Sequence, residues 1–210
     1  MANRAVVERA IAAGVRVFTL GPGVIERVAE TVTPQGVLAI VGAVDRPLDG
    51  LAATGLVVVL EDVRDPGNVG AIIRSADAAG ADAVICLLGT GDPYNPKVVR
   101  ASAGSLFHLP IVIDADADAV VDTLTKRGCT VLATAANGGL DYAVDPWPDA
   151  VALVLGNEAN GVSPALRARC DGAISIPIAG QAESLNVAMA STVLLFEAAR
   201  RRRSPPAADR

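Results

Sequence analysis

The sequence predicts an α/β domain with a mostly parallel sheet and helices on both of its faces. Hydrophobic residues make up 51% of the 210 residues but aromatic residues only 3%, so the core must consist of Ala, Val, Leu and Ile. Short apolar runs also alternate along the chain with longer amphipathic or Ala-rich stretches. Strands that are buried on both faces and covered by helices have this composition and this alternation.

The strands are expected where a short apolar run is bounded by turn residues. The run "LVVVL" is the first of the series, and similar runs follow it at intervals through the chain. The expected strands span residues 56–60, 82–88, 109–113, 129–135, 150–156 and 172–178.

The helices are expected between and after these strands, over residues 68–80, 96–102, 116–128, 163–170 and 183–202. Asn68 can cap the first of them, because a short polar side chain accepts a hydrogen bond from the first turn. Gly80 can end the same helix, because glycine adopts the left-handed conformation of a helix C-terminus without strain. Pro96 is suited to the first turn of the second helix.

The chain is expected to contain one large domain and a smaller N-terminal segment. Residues 1–45 show a helix and a strand, a turn and a helix, then a turn and a strand, which is too little for an independent core. Residues 46–55 are rich in Gly, Pro and Asp and are interpreted as a linker. Residues 56–202 form the main domain, and residues 203–210 are a flexible tail.

Composition and charge exclude several functional classes. No apolar run is long enough to cross a bilayer or to act as a signal peptide, which favours a soluble, cytoplasmic protein. The net charge of −5 disfavours a general nucleic-acid binder. Cys86, Cys129 and Cys170 are far apart and His108 is the only histidine, so neither a metal site nor a disulfide is expected.

Three loops that follow predicted strands are the expected location of a ligand site. They are "TAANGG" (134–139), "GNEANGVSP" (156–164) and "PIAGQAESLN" (177–186). Ligands of open α/β sheets bind at the carboxyl ends of the strands. The small residues of these loops let backbone N–H and C=O groups approach a ligand closely, so a pocket lined by backbone groups is expected.

The second loop, "LVLGNEANGVSP" (153–164), has the glycine spacing of a phosphate-binding P-loop but lacks its lysine. Val162 occupies the lysine position, and the carboxylate of Glu158 would repel phosphates. An enzyme that depends on a nucleoside triphosphate or a dinucleotide is thus disfavoured, although competition with ATP and NAD is needed to exclude it. The polar residues near the loops suit positioning and charge stabilisation. They are Asn68, Arg74, Glu158, Ser184 and Asn186.

Three stretches together resemble the motifs of one family. "LEDVRDPGNVGAIIRSADAAGADAVI" (60–85), "LVLGNEANGVSP" and "ISIPIAGQAESLNVAMAS" (174–191) are similar, in order and spacing, to the three motifs of the SpoU (TrmH-like) RNA ribose 2'-O-methyltransferases of the SPOUT superfamily. The resemblance covers about residues 55–200. "TVTPQGVLAIVGAV" (31–44) resembles the end of the RNA-binding domain that precedes the catalytic domain in many members. Residues 1–45 are therefore expected to be a shortened or truncated form of that domain.

The resemblance implies a SPOUT fold whose C-terminal segment forms a trefoil knot, and a homodimer that completes the sites. It also implies S-adenosylmethionine as the methyl donor. The residues that the resemblance assigns to cofactor binding are Thr134, Ala135, Leu155, Gly156, Ile176, Ile178 and Leu185. No metal ion is implied.

The resemblance also assigns catalytic roles, to Asn68 and Arg74 from the first motif, Glu158 from the second, and Ser184 and Asn186 from the third. Structural roles remain as alternatives, since Asn68 and Ser184 can be helix caps, Asn186 a brace of the knot and Glu158 the partner of an arginine. Arg74 is interpreted as a clamp on an RNA phosphate that stabilises developing alkoxide charge, because a guanidinium is very hard to deprotonate. Residues 102–104 are expected to face the RNA.

The implied reaction is methyl transfer from S-adenosylmethionine to a ribose 2'-hydroxyl of structured RNA. Ribosomal RNA is favoured over transfer RNA, because residues 31–44 resemble the domain found in enzymes that modify ribosomal RNA. A relative that binds RNA or cofactor without catalysis remains an alternative.

Overall fold

The computed structural model describes residues 2–29, 33–52, 55–144 and 147–203, and the chain divides into two compact units, Met1–Ala43 and Val44–Arg210. The first unit contains α1 (Ala2–Ala12) and α2 (Val24–Val28). The strands expected in residues 1–45 are not found in its described part. The described residues after α1 pair with no neighbouring strand, and a segment becomes a β-strand only when its backbone groups pair with another strand.

The first two residues of the second unit, Val44 and Asp45, are hydrogen-bonded to Tyr94 of the same unit. The backbone N–H groups of Val44 and Asp45 donate to the Tyr94 hydroxyl at 2.7 and 2.8 Å, and that hydroxyl donates to the Asp45 carboxylate at 2.6 Å. Residues 44 and 45 are therefore attached to the larger unit. The division predicted from the sequence, into an RNA-binding-like segment (1–45), a linker (46–55), a methyltransferase domain (56–202) and a tail (203–210), remains a prediction.

The described residues form one sheet of seven strands, and every paired strand runs parallel to its neighbours. The strands are β1 (Leu56–Leu60), β2 (Ala83–Leu87), β3 (Ile111–Ala115), β4 (Thr130–Ala135), β5 (Leu140–Asp141), β6 (Val151–Leu155) and β7 (Gly172–Ser175). Their order is β3-β2-β1-β6-β4-β7-β5. The parallel sheet is confirmed. β5 was not predicted, because two residues cannot display an apolar pattern.

The helices of this unit are α3 (Pro66–Ala79), α4 (Pro96–Ala101), α5 (Ala117–Lys126), α6 (Pro164–Arg167) and α7 (Val187–Arg203), with 3-10 turns at Leu48–Gly50 and Ser105–Phe107. Alternate residues of β1 enter two separate cores. Leu56, Val58 and Leu60 pack in one cluster with residues of α3 and α7, whereas Val57 and Val59 pack in another with residues of α5 and α6. Helices therefore cover both faces of the sheet, as predicted.

The start of α3 differs from its prediction. Asp65, rather than Asn68, is the N-cap, since its carboxylate accepts from the Asn68 backbone N–H at 2.9 Å and Pro66 occupies the first turn. This leaves the Asn68 side chain available for other contacts. The predicted end of the helix is confirmed, because Gly80 is left-handed with φ of 72°.

The segment between β7 and α7 is longer than the sequence predicts. β7 ends at Ser175 rather than at residue 178, since Pro177 has no N–H for a ladder. α7 begins at Val187 rather than at residue 183, since the Asn186 side chain accepts from the backbone N–H groups of Ala188 and Met189 at 2.9 and 3.3 Å. Residues 176–186 consequently form a loop at the carboxyl edge of the sheet.

Candidate functional site

A cavity of about 440 Å³ lies at the carboxyl ends of β4 and β6. The loops that follow β4, β6 and β7 and the first turns of α7 surround it. The structure places all the residues expected to bind the cofactor around this cavity, namely Thr134, Ala135, Leu155, Gly156, Ile176, Ile178 and Leu185. Parallel strands end at the same edge of a sheet, so residues far apart in sequence meet there.

The 156–163 loop closes on itself and forms one wall of the cavity. The backbone N–H of Gly161, whose φ is +68°, donates to the Asn157 carbonyl at 2.8 Å, and the Asn157 side chain accepts from the Ala159 N–H at 2.9 Å. A Cβ atom on Gly156 would lie 2.1 Å from the carbonyl carbon of Gly161. The glycine spacing that resembles a P-loop therefore lets two backbone segments touch.

Two consecutive residues after β1 hold this loop at both of its ends. Ser163 donates its backbone N–H to Glu61 Oε2 at 2.7 Å and its hydroxyl to Glu61 Oε1 at 2.6 Å. The Asn157 amide donates to the carbonyl and to Oδ2 of Asp62, at 3.0 and 3.1 Å. Arg64 donates to Asp62 Oδ1 at 2.7 Å, and this hydrogen bond raises the pKa of the Arg64 guanidinium.

A chain of side-chain hydrogen bonds links the three motifs beside the cavity. The Asn68 amide donates to Glu158 Oε1 at 2.9 Å, and the Asp65 N–H reaches the same oxygen at 3.4 Å. The Asn186 amide in turn donates to Asn68 Oδ1 at 3.0 Å. The Glu158 carboxylate is thus oriented by an amide rather than by an arginine.

The structure brings four of the five predicted catalytic residues together. Glu158, Ser184 and Asn186 line the cavity, and Asn68 contacts two of them. Arg74 is exposed on α3 and does not line the cavity of its own chain. Within the described part of the chain, the Arg74 guanidinium has no hydrogen-bond or ion-pair partner.

The thiols around the core are not suited to nucleophilic chemistry. Desolvation by burial raises the pKa of Cys86 to about 12 and those of Cys129 and Cys170 to about 11, so all three are protonated near neutral pH. The described residues contain no group of three or more His, Cys, Asp or Glu side chains that could hold a metal ion. The groups that the cavity offers to a ligand are therefore side-chain amides, a carboxylate, hydroxyls, the Arg167 guanidinium and backbone groups.

Sequence reasoning missed several residues that shape the site. Arg167 and Ala190 also line the cavity. Glu61 and Asp62 lie inside the quoted first motif, which is the signal that could have drawn attention to them. Their partners lie 102 and 95 residues further along the chain, and no local pattern identifies such a pair.

The sequence profile of the SpoU rRNA Methylase family matches residues 55–196, which contain the β1 to β7 sheet and the cavity. The chain belongs to the SpoU rRNA methylase family. One relative is the 23S rRNA (guanosine(2553)-2'-O)-methyltransferase RlmP of Bacillus subtilis, which is 40% identical over 183 residues, covering 87% of this chain and 72% of RlmP.

Solved structures of other methyltransferases share the fold. The AdoMet-bound rRNA methyltransferase from Sinorhizobium meliloti superposes with a TM-score of 0.86 at 35% identity, over 96% of this chain and 78% of that one. The SpoU methyltransferase AviRb from Streptomyces viridochromogenes, in complex with AdoMet, gives a TM-score of 0.71 at 39% identity. That match covers 75% of this chain and 65% of the AviRb chain.

Proposed function

We propose that this chain transfers a methyl group from S-adenosylmethionine to a ribose 2'-hydroxyl of ribosomal RNA. The observation that carries the proposal is the cavity that the loops of the second and third motifs line, beside the hydrogen-bonded chain of Asn68, Glu158 and Asn186. Membership of the SpoU rRNA methylase family supports the activity. RlmP bears the name of a 23S rRNA 2'-O-methyltransferase, and the Sinorhizobium structure is that of an AdoMet-bound enzyme.

The cavity suits S-adenosylmethionine in size and in chemistry. Its volume of about 440 Å³ lies in the range of small-molecule sites, about 300–1,000 Å³. Leu155, Ile176 and Leu185 offer apolar surface for the adenine, and the glycine-containing loop offers backbone groups at close range. When bound, S-adenosylmethionine supplies a methyl group activated by a sulfonium, so the residues of this chain need only align the hydroxyl and handle its proton.

The polar residues at the cavity share the alignment of the ribose hydroxyl and the handling of its proton. We propose that Glu158 and Asn186 position the ribose, with Asn68 fixing both of their side chains. Ser184 lines the same cavity and offers a hydroxyl to the RNA. Arg74 holds the adjacent phosphate and stabilises the alkoxide as it develops, while a phosphate oxygen or a water accepts the proton.

A homodimer explains why Arg74 lies outside the cavity of its own chain. Met189, Val193 and Phe196 are 64%, 37% and 44% exposed and are spaced by four and three residues, so they form one apolar stripe on α7. Ser75, the residue after Arg74, contacts Thr192 of α7 through a hydrogen bond of 2.8 Å between their hydroxyls. We propose that a second copy of the chain covers the stripe. Arg74 of each copy then lies at the cavity of the other copy.

Three finer features complete the proposal. We infer that residues 176–186 and α7 form the trefoil knot of a SPOUT fold. The unit of residues 1–43 acts as a reduced RNA-binding segment. Ser102 of the SAG stretch is buried, so Ala103 and Gly104 are the residues of that stretch that face the RNA. None of the described helices has both the length and the apolarity required to cross a bilayer, and we propose a cytoplasmic location, where ribosomal RNA is modified.

Calorimetric titration with S-adenosylmethionine and S-adenosylhomocysteine, with ATP and NAD as controls, tests the cofactor. Saturable binding of the first pair alone supports the proposal. Transfer of a radiolabelled methyl group to purified ribosomal RNA, followed by detection of 2'-O-methyl nucleotides, tests the reaction. Labelling of transfer RNA instead would identify the other substrate, and binding without any transfer would identify a non-catalytic relative.

A further inference from the structure

We propose that Glu61, together with Asp62, is a positioning residue that holds the 156–163 loop in the shape that binds the cofactor. The inference rests on the proposed function for one point, which is that the ligand of the loop is S-adenosylmethionine. Neither residue lines the cavity, so both act through the loop.

The Glu61 side chain holds the C-terminal end of the loop. Both of its carboxylate oxygens accept from Ser163, one from the backbone N–H and one from the hydroxyl. The Glu61 backbone is itself fixed, because its N–H donates to the Leu155 carbonyl at 2.8 Å and so extends the pairing of β1 with β6. The Ser163 hydroxyl also accepts from the Leu166 N–H at 3.2 Å, which couples the same contact to the start of α6.

Asp62 holds the N-terminal end of the loop. Its φ of 55° is in the left-handed region, which few residues other than glycine adopt and which turns the chain sharply after β1. The Asp62 carbonyl and carboxylate both accept from the Asn157 amide. Asn157 in turn organises the loop through the Ala159 and Gly161 N–H groups.

The two attachments fix both ends of the segment that contains residues 158–162, and these residues form one wall of the cavity. A loop released at one end would sample open shapes, and apparent affinity falls in proportion to the fraction of binding-competent molecules. Weakening the Glu61 contact should therefore reduce cofactor affinity more than the rate of methyl transfer at saturating cofactor. A residue that touched the reacting atoms would reduce the rate instead.

The test compares Glu61→Gln, Ser163→Ala and Ser163→Thr with the wild-type protein. Hydrogen exchange of peptides covering residues 157–163, measured without ligand, should be faster in Glu61→Gln and Ser163→Ala. The Kd for S-adenosylhomocysteine should rise about tenfold in both, since a charge-assisted hydrogen bond is weakened, while kcat at saturating S-adenosylmethionine changes less than about threefold. Ser163→Thr keeps the hydroxyl, so its loop exchange and its Kd should match those of the wild type.

The matched control is Asp116→Asn, which alters a carboxylate that also accepts a backbone N–H, at the N-cap of α5, a helix with no residue in the cavity lining. It should leave both exchange in residues 157–163 and the Kd unchanged. Unaltered loop exchange in Glu61→Gln, or a loss in kcat with an unchanged Kd, would overturn the positioning role. If the wild type fails to bind S-adenosylhomocysteine while loop exchange still responds to Glu61→Gln, the loop attachment stands and the proposed function is wrong.

Discussion

Gly156 is a position where the site has no room for a side chain. The position where its Cβ would lie is 2.1 Å from Gly161 and 2.2 Å from Val162, and both contacts are with backbone atoms that cannot rotate away. Burying an extra methyl group in such a place shifts the backbone itself. The close approach explains why two glycines five residues apart occur in a loop that lacks the lysine of a P-loop.

The Gly156→Ala variant should lose cofactor binding. The added methyl must push residues 161 and 162 away from β6, and we expect destabilisation of about 1–3 kcal/mol as well as a Kd for S-adenosylhomocysteine raised at least tenfold. Calorimetry and thermal denaturation measure the two effects. Gly180→Ala is the control, because a Cβ there meets no atom within 4 Å. Normal affinity in Gly156→Ala would show that this wall does not contact the ligand.

A substitution of Arg74 should affect methyl transfer without affecting cofactor binding. Because it is exposed on α3 and outside its own cavity, Arg74→Ala should leave the Kd for S-adenosylhomocysteine unchanged. Methyl transfer should fall by about 100-fold or more, as expected when a group that stabilises developing charge is removed. Transfer of a radiolabelled methyl group to ribosomal RNA measures the activity, and calorimetry with S-adenosylhomocysteine measures cofactor binding. Joint loss of cofactor binding and transfer would contradict this division of labour.

At the scale of elements, α7 carries a carboxylate that two arginines stabilise. The hydrogen bond from Arg200, supported by that from Arg201, lowers the pKa of Glu197 to about 2 against the opposing effect of burial. An unfolded glutamate has a pKa of about 4.3. The folded state therefore gains stability above that pH, and the gain disappears as the pH falls through about 2.

The Glu197→Gln variant should accordingly be less stable at neutral pH than the wild type, by about 1 kcal/mol, because solvent weakens ion pairs near the surface. The difference should be constant above about pH 5 and shrink steadily in more acidic solution. Urea denaturation of both proteins at a series of pH values, at one protein concentration, measures it. A difference in unfolding free energy that is independent of pH down to pH 3 would contradict the ionic origin.

The apolar stripe on α7 makes a second prediction at this scale. Val193→Glu places a charge between Met189 and Phe196, so we expect the proposed homodimer to dissociate at micromolar concentration. Sedimentation velocity measures the change, and methyl transfer should fall with it. Ala119→Glu puts the same charge on an exposed position of α5 and should leave the assembly intact. A wild type that is monomeric at all concentrations would exclude the proposed exchange of Arg74.

For the whole molecule, the division into two units predicts that the larger one is self-sufficient for cofactor binding. Every residue lining the cavity lies after Val44, and residues 44 and 45 are bound to Tyr94. Deleting residues 1–41 should leave the Kd for S-adenosylhomocysteine within about twofold and reduce affinity for ribosomal RNA. Equal RNA affinity with and without these residues would remove the RNA-binding role from the first unit.

The sequence by itself predicted the parallel sheet, the helices on its two faces and the ends of most elements. These features follow from local patterns, as in the buried run of β1 or the glycine that ends α3 at Gly80. The residues around the cavity were also predictable, because parallel strands deliver their following loops to one edge. Local patterns failed where a predicted strand has no partner strand, as in the residues after α1. They also failed where the N-cap of a helix lies outside the apolar run, as at Asp65 and Asn186.

Only the tertiary structure decided which side chains meet. The hydrogen bonds from Asn186 to Asn68 and from Ser163 to Glu61 join residues 118 and 102 positions apart. The first depends on the packing of α3 against α7. The second depends on β1 and β6 being neighbours, although four strands separate them in sequence. The tertiary structure likewise separated Arg74 from the cavity that its own motif helps to build. Periodicity records which face of an element is buried, whereas sheet order and loop closure arise from packing of the whole chain, so these contacts leave no trace in any short stretch of sequence.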